Sequence, residues 1–185
     1  MDDEAPRGRR VLWQLLALVA VVLLTVAADQ AAKRSVERHL RGRPPIEVLP
    51  GFDLRYARNP GAAWGLLADT REAFRRPFFV GVSIAAMAFV LVIFFRAADD
   101  QRRLRVALAL ILGGAAGNFL DRMLHGHVID FVDWHVRLLG RVRHWPTFNI
   151  ADAAITIGVL LIALEILPRR VPAGNTGTEG STPPP

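Results

Sequence analysis

Cysteine is absent from this 185-residue chain, and charge is absent from long parts of it. Without cysteine the protein has no disulfide framework, no thiolate nucleophile and no cysteine zinc site. Four runs hold 67 residues and only one charged side chain, Glu165; they are residues 11–28, 77–95, 106–120 and 153–167. The core of a soluble domain of this length does not need uncharged runs of 18 and 19 residues. The pattern therefore excludes an ordinary soluble protein and predicts a membrane-embedded one.

The excess of positive charge, +6 at pH 7 with a pI near 11.2, does not indicate a nucleic-acid-binding protein. The arginines flank the apolar runs and do not form one basic face with interleaved aromatic side chains. We therefore predict no nucleic-acid partner, and we expect the arginines to contact the anionic surface of a lipid bilayer.

The lengths of the four runs predict how often the chain crosses the membrane. A helix needs about 20 residues to cross a hydrocarbon core of ~30 Å. The first two runs are almost long enough, and the last two reach this length only with polar residues at their ends. We predict four transmembrane helices, at about residues 11–28, 77–95, 104–121 and 150–167. The first run also has features of a cleaved signal peptide, but its 18 uncharged residues exceed the usual ~7–15 of a signal-peptide core, so we expect it to be retained.

Four crossings place both termini on one side of the membrane. Arginines precede the first helix, follow the fourth and lie between the second and third, which makes that side cytoplasmic by the positive-inside rule. We predict a single membrane-embedded domain over residues 1–170. Residues 171–185, rich in Gly, Thr, Ser and Pro, are predicted to be a disordered cytoplasmic tail.

Between the first two spans the sequence changes to the two-residue period of β-strands. Ile46 and Val48, and then Phe52, Leu54 and Tyr56, alternate with other residues, and a Pro-Gly pair marks a turn after each stretch. We predict a small sheet at about residues 44–68. Because lipid cannot satisfy the open edge of a sheet, this sheet must lie in the headgroup region or above it.

Acidic residues gather on the side of the membrane opposite the termini. Five lie at the ends of the predicted spans or beside them: Asp29, Asp121, Asp130, Asp133 and Asp152. An ionisable side chain at membrane depth is costly and therefore indicates a function. Their common location predicts that the protein acts at this face.

Glycines and polar residues share the end of the third predicted span. Gly113 and Gly117 are four residues apart, so they lie on one helical face where a neighbouring helix can approach closely. Asn118, Asp121 and Arg122 follow at spacings that also share a face. The pattern is compatible with a polar site, and equally with a packing helix that ends in an Asp–Arg pair.

Two further segments carry acids in distinctive settings. Asp130 stands among apolar residues, which disfavour the charged form of a carboxyl, raise its pKa and keep it able to donate a proton. Asn149 stands three residues before Asp152, so it is predicted to cap a helix whose first turn carries that acid. Each segment also has a purely structural interpretation: a strand with water-facing acids, and a capped helix.

Other candidate chemistry is weakly supported. His125 and His127 lack an evident third metal ligand. Ser83 is the only serine within a span, no histidine lies in any of the four runs, and no nucleophile-elbow motif surrounds this serine. We therefore predict neither a metal site nor a serine protease.

Five segments, taken in order, resemble the five motif regions of the lipoprotein signal peptidase family, also called signal peptidase II. They are Asp29-Gln30-Ala31-Ala32-Lys33, Asn59-Pro60-Gly61-Ala62-Ala63-Trp64, Gly113-Gly114-Ala115-Ala116-Gly117-Asn118 with Asp121-Arg122, Val128-Ile129-Asp130-Phe131 and Phe148-Asn149-Ile150-Ala151-Asp152. Each motif alone is weak, but five in order against four spans are specific. The resemblance covers about residues 11–167.

The resemblance implies four transmembrane helices, a small extracytoplasmic β-sheet and a short interfacial helix, in the bacterial cytoplasmic membrane. It implies an aspartic endopeptidase that acts at the extracytoplasmic face and cleaves prolipoproteins before a diacylglyceryl-modified cysteine. Asp130 and Asp152 match the family's catalytic dyad. Supporting or substrate-binding positions fall on Asp29, Lys33, Asn59, Gly61, Asn118, Asp121, Arg122 and Asn149.

The same resemblance implies no cofactor and no metal, with lipidated precursors and membrane lipid as partners of a monomer. This chain departs from the family pattern in the stretch between the two dyad acids, where a basic insert at 137–144 lengthens it. Two other functions stay open at this point. A small proton-coupled transporter should have acids spread through the membrane depth, and a non-catalytic scaffold should tolerate the loss of both acids.

Overall fold

A computed structural model describes residues 7–61 and 70–166 of the chain. The described residues form four helices, α1 (Arg7–Leu40), α2 (Glu72–Arg96), α3 (Arg102–His125) and α4 (Ile150–Ile166), and four strands, β1 (Ile46–Leu49), β2 (Phe52–Asn59), β3 (Val128–Leu138) and β4 (Arg141–His144). The predicted tail, residues 62–68 of the predicted sheet and Trp64 of the second motif lie outside the described residues.

Three of these helices account for three of the predicted membrane spans. The part of α1 from Gly8 onward, α2 and α3 are each long and apolar enough to cross a bilayer. Large apolar side chains such as Leu24 and Phe89 are exposed on their outer faces, as contact with lipid allows. The chain is therefore a membrane protein. The described part of α4 has 17 residues, and its crossing stays a prediction.

Helix α3 lies at the centre of the molecule and packs against the other three helices. Its glycines permit this, as their spacing predicts. A Cβ on Gly113 would lie 2.8 Å from Cβ of Thr25 in α1, and one on Gly114 would collide with the carbonyl oxygen of Ala151 in α4. The backbones of α1 and α4 therefore come close to α3, and polar side chains on all three can meet.

Helix α1 is longer than the apolar run that begins it. Asp29, expected to close the helix, instead lies within it, because α1 continues to Leu40. Residues 29–76, which the sequence indicates to be the less helical part of the chain, are therefore helical over their first twelve residues. The extension contains alanine, lysine, arginine and glutamate, which are good helix formers and need no lipid contact.

The four strands form one antiparallel sheet in the order β1-β2-β3-β4. The strands predicted from the 46–56 alternation are confirmed, but the predicted sheet was incomplete because β3 and β4 belong to it. Residues of β2 pair with residues of β3 about 70 positions later, for example Ala57 with Asp130. Pairing over that separation leaves no trace in local sequence periodicity.

The sheet is attached to the extension of α1. Val36 and Leu40 of α1 form a buried cluster with Phe131 of β3, against which Leu54 and Tyr56 of β2 pack. The other face of β3 thereby lies near the ends of α3 and α4. Residues 72–76 form the start of the continuous helix α2, and no separate short helix lies between residues 70 and 76.

Candidate active site

Asp130 and Asp152 are brought together by a shared asparagine. Asp130 lies on β3 with 2% of its surface exposed, and Asp152 lies in the first turn of α4. The side-chain amide of Asn149 donates a hydrogen bond to Oδ1 of Asp130 at 2.6 Å, and its backbone N–H donates to Oδ2 of Asp152 at 3.3 Å. Two acids separated by 22 positions in the chain therefore meet at one residue.

Two more asparagines bind the remaining carboxylate oxygens. Nδ2 of Asn59, at the end of β2, donates to Oδ2 of Asp130 at 3.0 Å. Nδ2 of Asn118, in α3, donates to Oδ1 of Asp152 at 2.7 Å. All four carboxylate oxygens of the pair therefore accept a hydrogen bond from a neutral amide, which fixes the carboxyl groups without neutralising them.

Asn149 also begins helix α4, as its spacing predicts. Its Oδ1 accepts a hydrogen bond from the backbone N–H of Asp152 at 2.9 Å, and Oδ2 of Asp152 accepts one from the backbone N–H of Asn149. This reciprocal arrangement has the geometry of a capping box. Asn149 is thus both the cap of helix α4 and a hydrogen-bond donor to the two acids of the site.

Burial is the main reason that the pKa of Asp130 is raised to about 6, and the negative charge of Asp152 is the second. The hydrogen bonds from Asn59 and Asn149 and the positive charge of Lys33 oppose this rise only in part. Two carboxyl groups coupled in this way titrate as a pair and can hold one proton between them near neutral pH.

A buried cation, the side chain of Lys33, stabilises the polar groups around the pair. Lys33 of α1 is 1% exposed, and its Nζ lies 2.7 Å from Oδ2 of Asp29 and 2.9 Å from Oδ2 of Asp121. The same ammonium donates to Oδ1 of Asn118 at 3.0 Å. Because the oxygen of Asn118 is held by Lys33, its NH₂ group is directed at Asp152.

The two anions beside Lys33 connect the elements that carry the dyad. Oδ1 of Asp29 accepts a hydrogen bond from the backbone N–H of Ala151 at the start of α4, at 2.9 Å. Oδ2 of Asp121 accepts one from the backbone N–H of Ile129 in β3, at 3.0 Å. Asp29 and Asp121 therefore hold the start of α4 and strand β3 in place, and these two elements carry Asp152 and Asp130.

Gln30 also belongs to this network, although its motif did not predict a role for it. Its Nε2 donates to Oδ1 of Asp121 at 2.8 Å and lies 3.3 Å from the carbonyl oxygen of Gly117. Its position directly after Asp29, at the end of a charge-free run, was the only signal that could have assigned it a role.

Arg122 connects α3 to the turn that follows β2. Its Nη2 donates to the carbonyl oxygen of Gly61 at 3.4 Å, and its guanidinium lies 5.1 Å from the ring centre of Phe79. Oδ1 of Asn59 accepts a bond from the N–H of Gly61 at 3.1 Å, which fixes the turn. Phe79 was not predicted, because it is one of many apolar residues in its run.

The structure thus places the ten residues expected at the site in one connected polar network. The fifth acid of the sequence analysis, Asp133, does not join it: its carboxylate contacts Arg55 and His144 instead. The network contains no serine or cysteine. Its chemistry is that of two coupled carboxyl groups, which can activate a water molecule by taking one proton and donating another.

Known proteins similar to this chain carry a consistent description. The family model described as signal peptidase (SPase) II matches residues 21–168. A lipoprotein signal peptidase of Anaeromyxobacter sp. (strain Fw109-5) is 51% identical over 181 aligned residues, covering 83% of this chain and 84% of that protein. One of Geobacter metallireducens is 42% identical over 156 residues, covering 84% of this chain and 91% of that protein.

A solved structure, titled "Bacterial membrane enzyme structure by the in meso method at 1.9 A resolution", has a similar fold. The superposition has a TM-score of 0.69 at 32% sequence identity and covers 82% of this chain and 92% of that one. Neither the family nor the names of these relatives support the transporter alternative.

Proposed function

This chain belongs to the signal peptidase II family and is a membrane aspartic peptidase, and from this we propose that it removes signal peptides from bacterial prolipoproteins. The cut falls before the diacylglyceryl-modified cysteine, and Asp130 and Asp152 are the catalytic dyad. The observation that carries this assignment is the set of amide hydrogen bonds to all four oxygens of these two acids, with Asn149 between them.

The reaction follows from a pair of carboxyl groups that share one proton. The ionised member takes a proton from water while the resulting hydroxyl bonds to the scissile carbonyl carbon, and the protonated member donates its proton to the carbonyl oxygen. When the C–N bond breaks, the proton taken from water passes to the leaving nitrogen, and one hydroxyl proton of the diol returns to the pair. Neither role belongs to Asp130 or Asp152 alone, because the proton belongs to the pair.

The surroundings of the dyad suit a lipidated peptide. Arg122 and Asn118 lie beside it and are placed to hold ester or peptide carbonyl groups, and the turn at Asn59 and Gly61 reaches across from the sheet. The extended peptide would then lie under the sheet, beside the dyad, and its acyl chains would lie in the lipid around the helices.

The membrane arrangement is part of the same proposal. Helix α4 makes the fourth crossing, both termini lie in the cytoplasm and the dyad lies at the extracytoplasmic face of the bacterial cytoplasmic membrane. Residues 1–170 form the peptidase domain of a monomer, and residues 171–185 are its tail. The arginines at the termini and between α2 and α3 support this orientation.

The test is cleavage of a synthetic lipidated precursor peptide by the full chain in detergent or lipid. Asp130→Asn and Asp152→Asn should each abolish cleavage, a loss beyond the ~10²–10⁴-fold that general acid–base catalysis supplies. Asp133→Asn is the matched control, since it changes a buried acid on the same strand outside the network. Thermal unfolding establishes that all three variants fold.

The substrate class is tested in the same assay with the identical peptide lacking its diacylglyceryl group. This peptide should be cleaved far more slowly than the lipidated one. Normal turnover by both dyad variants would overturn the assignment of the dyad, and equal turnover of the two peptides would overturn the assignment of the substrate.

A further inference from the structure

A second cluster of chemically reactive side chains lies on the outer part of the sheet. Asp133 and His135 are on β3, and His144 of β4 pairs directly with His135 across the strands. One ligand atom from each of the three residues lies within 4.8 Å of the others, which makes them the one group of three metal-ligating side chains found among residues 7–61 and 70–166.

The distances within this cluster suit a small cation. Nδ1 of His144 lies 3.0 and 3.1 Å from the two carboxylate oxygens of Asp133, and the two imidazole rings are 5.0 Å apart. Ligand atoms at about 2.0–2.2 Å from a tetrahedral zinc ion are roughly 3.5 Å from one another. Small side-chain rotations would therefore bring these three ligand atoms around one ion.

Two buried atoms at the same place lack partners. Nδ1 of His135 and Oδ1 of Asp53 are both inaccessible and have no hydrogen-bond partner among the described residues. Such groups are rare in folded proteins, and each of them calls for an explanation. Oδ2 of Asp53 lies 3.8 Å from Nδ1 of His135, and a carboxylate beside a ring nitrogen is the usual means of orienting a metal-bound histidine.

The cluster is separate from the dyad. Asp133 follows Asp130 by three residues on an extended strand, so their side chains point to opposite faces of the sheet. Arg55 lies 3.1 Å from Oδ2 of Asp133 and Nδ1 of His144 lies 3.0 Å from Oδ1, so an ion held by Oδ1 and this ring nitrogen would replace the proton between them. An ion bound there could not take part in peptide hydrolysis.

We propose that Asp133, His135 and His144 bind a divalent transition-metal ion, of which zinc is the representative, and that this ion joins β4 to β3. Imidazole and carboxylate together suit zinc. All four residues of β4 are exposed, so little apolar burial holds this strand in place. The ion is a structural cross-link of the hairpin, and the proposed peptidase chemistry does not use it.

Zinc titration by calorimetry tests the site, using the full chain in detergent, freed of metal and without an added histidine tag. The wild type should bind one ion. His144→Ala should weaken binding more than ~100-fold, because even the loss of a residue that only orients a ligand costs ~10–100-fold. Asp53→Asn, which alters the orienting carboxylate, should fall within that smaller range.

The matched control is the double variant His125→Ala/His127→Ala, which removes another histidine pair of the same chain, with ring centres 6.0 Å apart. It should bind zinc as tightly as the wild type does, and zinc should raise the melting temperatures of the two proteins by the same amount. The side chain of His144 is 51% exposed, so His144→Ala should fold and should cleave substrate in metal-free buffer. Stoichiometric binding that survives His144→Ala, or the absence of stoichiometric binding by the wild type, would overturn the proposal.

Discussion

Asp130 and Asp133 lie three residues apart on one strand, yet their surroundings differ in kind. The carboxylate of Asp130 accepts hydrogen bonds from the neutral amides of Asn59 and Asn149, and burial together with the charge of Asp152 raises its pKa to about 6. An acid in this setting exchanges its proton near neutral pH. That property suits it to take part in proton transfer.

Asp133 is as buried as Asp130, but its neighbours are Arg55, which is a cation, and His144, which becomes one when it is protonated. Burial acts to raise the pKa of Asp133, but hydrogen bonds from His144 and Arg55 outweigh it and hold the pKa below its usual value. Asp133 is therefore a fixed anion. The comparison teaches that burial alone does not make an acid catalytic, because the charges around the carboxyl decide whether it keeps a proton.

The largest effect is expected from removing the buried cation on the side of the dyad. Lys33→Met leaves Asp29 and Asp121 buried without a counter-charge, which should lower the free energy of unfolding by about 3–5 kcal/mol. It also frees Asn118 from the position that directs its amide at Asp152. Thermal unfolding and the peptide cleavage assay should both show a large loss.

Two variants qualify this first prediction. Arg34→Met, which removes an exposed neighbouring cation, should change little. Adding Asp121→Asn to Lys33→Met should restore part of the stability, because it removes one of the two uncompensated charges. A Lys33→Met protein with wild-type stability would contradict the role of the buried ammonium.

The next largest effect is expected at Asn149, whose two roles can be separated. Asn149→Ala removes both the cap of α4 and the amide donor to Asp130, so it should cost about 1 kcal/mol of stability as well as activity. Asn149→Ser keeps a capping oxygen but loses the donor. It should preserve the melting temperature while slowing cleavage about 10²-fold, the cost of a misplaced catalytic group.

Measuring kcat and the melting temperature for both variants distinguishes these roles. If Asn149→Ser kept both wild-type activity and wild-type stability, the residue would act only as a helix cap.

A pH profile tests the raised pKa of Asp130. The pair must hold one proton, and this shared proton is lost as pH rises through about 6, the raised pKa of Asp130. We therefore expect kcat/KM to fall on the alkaline side with a midpoint near that value, by about tenfold for each further pH unit. Asn59→Ala removes a hydrogen bond that lowers this pKa, so the midpoint should move to higher pH.

The control for the profile is Asp133→Asn, which should leave the midpoint where it is. A midpoint that is unchanged in Asn59→Ala but displaced in Asp133→Asn would assign the titration to Asp133 and contradict the assignment to Asp130.

Sequence reasoning predicted the elements whose information is local. Runs without charge marked the spans, alternation marked β1 and β2, and the spacing of Asn149 and Asp152 predicted the cap. The motif order of the family placed Asp130 at the site. Each of these depends on residues that are neighbours in the chain or on one helical face.

What the sequence could not predict depends on contacts between distant segments. Helix α1 runs past Asp29 to Leu40 because its extension supports the sheet, and β3 joins β2 through pairing across about 70 residues. Alternation along β3 places Asp130 and Asp133 on opposite faces, but only the positions of α3 and α4 determine which face holds the site.

The smallest effect is expected at the ion pair on the Asp133 side. Arg55 is 42% exposed, and its Nη1 lies 3.1 Å from Asp133, which keeps His144 as a second partner at 3.0 Å. Arg55→Met should therefore change the free energy of unfolding by less than ~1 kcal/mol, the usual limit for an exposed pair. Cleavage should change by less than about twofold, because no contact of Arg55 reaches the dyad. Asn59→Ala, four residues along the same strand, provides the contrast. If Arg55→Met displaced the pH profile as Asn59→Ala is expected to, the charges around Asp130 and Asp133 would be coupled, and the fixed anion at Asp133 would influence the catalytic pair.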